Sequence, residues 1–469
     1  MTHRVAILGA GITGLSTHWF LEREARKLGL ALHVETWDPR ERPGGNIATA
    51  KRDGWSCESA AESILNSRRE TRDLAVELGL SDEIVQVSPA ARKRYLLWKD
   101  RLRPIVPGPG LLFGSFPEWP ARLGMLRDLF APRGPEDESV ADFARRRIGA
   151  GMLEQILDPV VTGIWAADPE RLSIRSSMGA LKDRETIHRS LLLGLLSGGG
   201  KAPARSAEGP RGGSYTFRGG MTQLVDKLAS SLQGSVRTGM AVESFRRDRD
   251  GWTLTSGGVQ ERFDHVVLAL PAWQVAGLEG LPSDLVSETA HLPYNPVAVV
   301  GLGFRREDVD HPLDGFGFLV PRRADRRILG TLFSSTLWPH AAPEGHVLLR
   351  TMVGGGRQPA LATLPEEELV SLVRSELRDI LGVRGEPVFR HLAIWPKGIP
   401  EYPVGHHDRV RRLRALLAGT GLHLAGNAWD GIGVNDCVAA ALPRARALLE
   451  ELQEGANLRR RQDLSRAPD

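Results

Sequence analysis

Apolar residues along this chain occur either in short unbroken runs or at helical intervals, and the two patterns occupy different regions. Residues 5–8 (Val, Ala, Ile, Leu) are a fully apolar run closed by Gly9, the pattern of a strand buried on both faces of a parallel sheet. A helix-like stretch follows Gly14, and residues 31–37 read as a second strand ending at Asp38. Residues 61–90 look helical around Glu62, Arg68, Leu74 and Leu78, then extended. From 104 to 212 strand signals nearly vanish, and helical patterns occupy 139–148, 152–157 and 187–196. Glycine-rich residues 197–200 and 208–213 flank a flexible linker.

A helix through Leu224, Leu228 and Leu232 opens the next part, followed by strands at 235–238, 242–246 and 252–255. Residues 265–270 read as a buried strand stopped by Pro271. Alternating strands dominate from 294 to 355, at 297–304, 315–320, 328–333 and 347–353. A helix at 366–380, a strand at 389–394 and an apolar run at 422–425 leading into Gly426 complete the chain.

The first strand, its glycine turn and the following helix carry the first chemistry. Gly9 permits the tight turn, Gly11 lets backbone amides approach a pyrophosphate, and Gly14 lets the helix pack against the sheet. Ile12 and Thr13 open the helix, whose N-terminus presents partial positive charge to phosphates. Asp38 stands where the dinucleotide fingerprint places its ribose-binding acid. A second glycine-rich segment, Gly426, Gly431, Ile432, Gly433 and Val434, reads as the distal half of a site for a long cofactor.

Composition narrows the class without naming a reaction. At 469 residues the chain needs two or three domains, and 41% hydrophobic with 25% charged residues is a soluble globular balance. Lys+Arg 61 against Asp+Glu 57 gives +4, so no global field points to nucleic acid. The basic residues gather at 91–103 and again at 459–461, in a polar tail. Cys57 and Cys437 form no metal spacing and no disulfide framework, which suits a reducing compartment. No histidine pair has ligand spacing, and His406 and His407 would point apart on a strand, so no metal is expected. With no room for a signal peptide before the first strand and no membrane-length apolar run, the expected location is cytoplasmic.

Two resemblances sharpen this reading. The run from Asp38 through Arg42 to Gly44 and Gly45 resembles the acid-x3-Arg-x-Gly-Gly continuation in the glutathione-reductase and amine-oxidase classes of FAD proteins. Residues 162–168 (TGIWAAD), 216–220 (TFRGG), 315–321 (GFGFLVP), 395–402 (WPKGIPEY) and the Gly426–Asn427 to Cys437 segment together resemble the oxygen-dependent protoporphyrinogen oxidases of haem biosynthesis. The likeness extends from about residue 4 to 450. It implies an α/β fold: a discontinuous Rossmann-like FAD-binding domain with an inserted mixed-sheet substrate domain and an inserted all-helical domain. The expected limits are 1–56, 213–280 and 416–455 for the FAD domain, 57–95 and 281–415 for the substrate domain, 96–212 for the helical domain, and 456–469 for a flexible tail.

By the same resemblance Gly9, Gly11, Ile12, Thr13, Gly14, Asp38, Arg42, Gly44 and Gly45 bind FAD, and Val242 meets the adenine through its backbone. Trp395 and the Gly426, Gly431, Ile432, Gly433 and Val434 segment belong at the flavin. Arg94, Phe316, Gly317, Leu319 and Met352 are implied to line the substrate pocket. The implied reaction is oxidation of protoporphyrinogen IX by O2, giving H2O2, with flavin carrying the chemistry and no protein residue assigned as catalyst. A cation suits a substrate propionate, and Phe316, Leu319 and Met352 suit a flat macrocycle. Residues 58–64 (ESAAESI) depart from the family's usual Gly-Pro-Asn-Ser-Phe, in the region expected to lie near flavin and substrate.

Trp119, Leu123, Leu126 and Phe130 fall at helical spacing beside Arg122 and Arg127, a pattern shared by interfacial membrane helices and by ordinary surface helices. The expected partners are therefore a porphyrinogen, O2, the inner face of a membrane, a second copy of the chain, and a ferrochelatase-type enzyme receiving product. Three other readings stand open: oxidation of coproporphyrinogen III, with Arg92, Lys93 and Arg101 serving its extra propionates; an amine oxidase or carotenoid desaturase, with Trp395 and Trp429 as cage members; and a flavin-binding carrier without turnover.

Overall fold

Val5 and Ile7 face one side of their strand and Ala6 and Leu8 the other, and all four are inaccessible to solvent. That demands a layer on each side. The computed structural model, which describes residues 2–106, 110–196, 213–232, 234–248 and 251–466, supplies both. A five-stranded parallel sheet runs in the order Val236–Thr238, Leu32–Asp38, His3–Leu8, His265–Leu268, Leu422–Leu424. Val5 and Ile7 pack with Leu15 and Leu21 of helix Ile12–Leu28, Leu224 and Leu228 of helix Thr222–Ser231, and Val438 and Ala445 of helix Val434–Arg466. Ala6 and Leu8 pack with Phe245, Trp252 and Phe263 of the antiparallel strands Ser244–Asp248, Gly251–Ser256 and Val259–Phe263. Three widely separated chain segments thus build one Rossmann-like layer, and the mixed-sheet and helical parts are inserted between them.

The second sheet has seven strands in the order Phe389–Pro400, Tyr294–Arg305, His346–Gly354, Gly330–Phe333, Gly315–Leu319, Lys93–Trp98, Arg101–Ile105. Every pairing is antiparallel except that of Gly315–Leu319 with Lys93–Trp98. On one face Ala298, Val300, Leu302 and Phe304 pack beneath Leu369, Val373 and Leu377 of helix Glu366–Leu381. The other face is turned to the rest of the protein. The basic stretch at 91–103 is the hairpin at this sheet's edge, and its Tyr95, Leu96, Leu97 and Trp98 are buried beneath the charges.

Short helices between residues 110 and 196 form a third lobe. The segment expected as one amphipathic helix divides instead into helix Trp119–Gly124 and a tighter 3-10 turn, Met125–Leu129. Gly124 lies against the Ile148–Gly149 backbone at this break, where a Cβ would come within 2.8 Å of Ile148 O. Trp119, Leu123, Leu126 and Phe130 are nevertheless exposed, Phe130 by 86%. At the lobe's centre, Arg147 Nε and Nη2 donate to Glu185 Oε1, and its Nη1 reaches Asp128 and Arg189 O. Lys182 bridges Glu185 and Glu138. No helix among the described residues is long and apolar enough to cross a membrane. The linker expected at 197–212 and the last three residues of the tail lie outside the described residues, while residues 456–466 continue the helix Val434–Arg466.

Candidate functional site

The glycine turn after His3–Leu8 is shaped by two different demands. At Gly14 a Cβ would lie 1.9 Å from Gly9 O, so helix and strand approach too closely for any side chain. At Gly11 a Cβ meets nothing nearer than Gly45 Cα at 3.9 Å. Internal packing therefore does not require glycine at Gly11; close approach of a ligand does. Gly11 is also the N-cap of helix Ile12–Leu28 and makes no side-chain cap, which leaves the first-turn amides to bind an anion. The Gly44–Gly45 pair folds onto this turn through a parallel bridge from Gly11 to Gly44, with Gly44 N donating to Ala10 O at 2.7 Å. Arg42 lies alongside and donates to Ile47 O at 2.9 Å.

Asp38 ends the second strand and is buried. Its Oδ2 accepts from Ala10 N at 2.8 Å and its Oδ1 from Arg40 N at 2.9 Å, so the carboxylate holds the glycine turn. Arg40 Nε also approaches Oδ1 at 3.5 Å, and Oδ2 keeps a second lone pair for a ribose hydroxyl. Next to it is a cavity of about 300 Å³ lined by Leu8, Trp37, Met240, Val242, Leu270 and Trp273, an apolar slot suited to an adenine. Val242 sits there because the strand expected at 242–246 begins at Ser244, leaving Val242 in the preceding loop. A planar base, a ribose and a diphosphate thus find matching surfaces in sequence, and the residues present fit FAD.

The C-terminal glycine segment follows strand Leu422–Leu424, whose end adjoins the first strand's glycine turn through the intervening His265–Leu268 strand. Gly426 and Gly431 have φ of 116° and 115°, and Asp436 packs under Gly431 and Gly433. Ile432 leans on the helical lobe's cluster around Trp165 and Tyr402, whereas Val434 joins the core beneath the parallel sheet. Tyr402 holds the segment by donating to Asn427 O. His406 does not lie on a strand: Gly405, at φ 87°, turns the chain into helix His406–Leu417. Its ring stacks on Tyr402, and burial lowers its pKa to about 4, which keeps it neutral.

Register assembles the substrate candidates. Ala393 pairs with Val299, Val299 with Met352, Met352 with Gly330, and Gly330 with Leu319. Directly paired residues share a face, so Met352 and Leu319 lie in one apolar row across the inner face of the seven-stranded sheet. Gly163 of helix Asp158–Trp165 presses on Leu319, where a Cβ would come within 2.3 Å of its Cδ2. Gly317, at φ 141°, cannot be replaced without striking Thr331 O at 2.2 Å. Phe316 sits beside this irregularity, and the Arg94 guanidinium lies 5.2 Å from its ring centroid. Arg94 is exposed, and among the described residues no carboxylate pairs with it. Its neighbour Lys93 is held by Asp314.

A second row, one step along the same face, was missed in the sequence. His391 pairs with Gly301, Gly301 with Arg350, Arg350 with Leu332, and Leu332 with Gly317. Arg350 is buried and donates from Nε to Glu58 O at 2.8 Å and from Nη2 to Ala60 O, with Glu62 Oε2 3.4 Å away. His391 bonds Ser59 Oγ at 2.9 Å, Trp395 Nε1 donates to Ser59 O at 2.8 Å, and Trp338 Nε1 to Glu62 at 3.2 Å. The divergent segment at 58–62 is therefore fastened to the sheet by three side chains and to the neighbouring loop by Trp338. Burial, reinforced by the charge of Glu62, raises the Glu58 carboxyl to about 8 even though Met221 N donates to it. The one legible signal was an arginine inside the otherwise apolar strand His346–Gly354. Trp429 belongs to the apolar cluster on the Ala6 and Leu8 side of the parallel sheet, and Trp395 is held by Ser59 O. The two cysteines are buried and free, and burial pushes both thiols to about 12.

Known proteins share this fold. The profile of flavin-containing amine oxidoreductases matches residues 36–449. The chloroplastic protoporphyrinogen oxidase of Oryza sativa subsp. japonica is 32% identical, covering 96% of this chain and 89% of the relative. The coproporphyrinogen III oxidase of Bacillus subtilis (strain 168) is 30% identical, covering 92% and 95%. A crystallised protein from Exiguobacterium sp. 255-15, provisionally described as a protoporphyrinogen oxidase, superposes with a TM-score of 0.83 at 27% identity, covering 97% and 99%. The chain belongs to the flavin-containing amine oxidoreductase family, and its cofactor is FAD.

Proposed function

We propose that this protein oxidises protoporphyrinogen IX to protoporphyrin IX, with O2 as the electron acceptor and H2O2 as product. The carrying observation is the inner sheet face: an apolar row through Met352 and Leu319 with Arg94 and Phe316 at its edge. Such a face takes a flat macrocycle, and the guanidinium fork takes a propionate at its rim. The relatives named for porphyrinogen oxidation support that substrate class. When bound, flavin supplies a two-electron acceptor that returns its electrons to O2. The protein positions the bridge carbon to be oxidised, keeps water from the reacting face through Leu319, Met352 and Ile432, and neutralises the carboxylate at Arg94.

Four propionates distinguish coproporphyrinogen III from the two of protoporphyrinogen IX; of the three cations weighed for the extra pair, Arg92 stays exposed beside Arg94, and the other two are poorly placed. Lys93 is engaged by Asp314. Arg101 pairs across the turn with Trp98, whereas Arg94 pairs with Ile105 at the hairpin's open end. Those positions are about 13 Å apart along the strands, too far for Arg101 to serve the same rim. The exposed Trp119, Leu123, Leu126 and Phe130 support a peripheral contact with the inner face of a membrane, where an apolar product would leave.

Anaerobic mixing of the FAD-loaded protein with protoporphyrinogen tests the reading. Bleaching of the flavin followed by porphyrin fluorescence on admitting air is expected. A flavin that stays oxidised removes the oxidase reading, and faster turnover of coproporphyrinogen III replaces the substrate.

A further inference from the structure

At the opposite end of the parallel sheet from the glycine turns, His265 begins its strand and His423 lies one strand over at the sheet's edge. His265 Nδ1 is 2.9 Å from His423 Nε2, and Glu451 Oε2, on helix Val434–Arg466, is 3.9 Å from each of those same nitrogens. A point equidistant from the three atoms lies about 2.1 Å from each, by the geometry of that triangle, which is the bonding distance of zinc to imidazole and carboxylate. We propose that His265, His423 and Glu451 form a binding site for a divalent transition-metal ion of the zinc class, clasping the C-terminal helix to the edge of the parallel sheet.

The chemistry of the surroundings agrees. Imidazole binds metal in its neutral form, and His423 is set among hydrocarbon and a second imidazole at the sheet's edge. The two rings now meet in line, with centroids 5.2 Å apart and 17° between their planes, so binding releases the shared hydrogen or moves it to a far ring nitrogen and turns both facing lone pairs toward Glu451. Arg444 is the cation nearest the site that would oppose an ion, and its Nη2 is already engaged by both oxygens of Asp430 at 2.8 Å. Glu454, one turn beyond Glu451, adds negative charge. Three protein ligands leave a fourth position for water. The histidines are 158 residues apart in sequence, so no ligand spacing could reveal them.

His423 stands three residues before Gly426, so the test is made on FAD-loaded protein and does not use activity. Untagged, FAD-loaded protein is titrated with Zn2+ by calorimetry and with Co2+ by visible absorption. One equivalent is expected to bind, with the ligand-field bands of a low-coordinate ion and a rise in unfolding temperature reversed by EDTA. Glu451→Gln, at an exposed position, is expected to weaken binding at least tenfold, and His423→Gln to abolish the bands. Absence of binding by the natural protein overturns the proposal, as does equal binding by both variants. If His423→Gln fails to fold, the Glu451→Gln titration alone decides.

Discussion

The central strand of the parallel sheet is packed by hydrocarbon on both sides, whereas the helical lobe is centred on charge. Val5, Ala6, Ile7 and Leu8 meet leucines, valines and aromatic rings. In the lobe, Arg147 and Glu185 are as fully buried as those residues and touch one another. Apolar packing needs only volume and shape, so the sheet tolerates distant chain segments arriving separately. A buried ion network needs every partner in place, because an unpaired buried charge is far more costly than a paired one is favourable. The lobe therefore has a more exacting geometry for the same degree of burial.

The sharpest way to break the sheet's side of this contrast is Gly14→Val. A side chain 1.9 Å from Gly9 O cannot be absorbed by rotamer change, so protein without flavin, aggregated or colourless, is expected in purification. Next come two variants of matched size. Ile7→Ala removes buried methyl groups and is expected to cost about 3 kcal/mol. Arg147→Met takes one cation from Glu185 and Asp128, leaving Arg146 and Lys182 on Glu185, and is expected to cost no more than about 3 kcal/mol. Denaturant midpoints then separate them by pH. Burial alone would raise Glu185, but hydrogen bonds from Arg146, Lys182 and Arg147 lower it from 4.5 to about 2. Its stabilising contribution is therefore complete above about 4.5 and lost as pH falls toward 2. The Arg147→Met penalty should shrink over that window, and the Ile7→Ala penalty should not.

Arg94→Ala addresses the rim of the substrate face, where a charge sits exposed on an aromatic ring. An increase in KM of about tenfold or more, roughly the worth of a charged hydrogen bond, is expected with flavin content unchanged. Equal loss of both would make Arg94 structural. The smallest effect belongs to Phe130→Ser: weaker sedimentation with anionic vesicles and unaltered stability and turnover in detergent. Unchanged vesicle binding would leave the lobe's apolar patch as ordinary surface.

What could be read in the sequence was local. Residues 5–14 specify a strand, a turn and a helix within one stretch, and Asp38 follows at a fixed interval, so the nucleotide half of the site is legible from residue order alone. The strand Val259–Phe263 was not, because four of its five positions are polar or solvent-facing and only Phe263 is buried. Leu319 and Met352 were nominated by family likeness, but their common row depends on register through Gly330, a residue with no side chain to signal it. Arg350 was overlooked for a related reason. Its partners are backbone carbonyls of Glu58 and Ala60, some 290 residues away, and carbonyl groups leave no mark in a sequence. The break at Gly124 is also tertiary, set by contact with Ile148 and Gly149 rather than by the apolar spacing around it.

The parallel sheet's strand order has a consequence for how the protein is made. Its edge strand, Leu422–Leu424, hydrogen-bonds to a strand that itself pairs with the very first, His3–Leu8. At ordinary translation speed, emergence of the chain from residue 38 to residue 422 takes on the order of half a minute. Throughout that interval the glycine turn is present on the nascent polypeptide without the sheet's edge strand or the glycine-rich residues that follow it. A ribosome stalled before the last strand would hold a chain whose parallel sheet is one strand short.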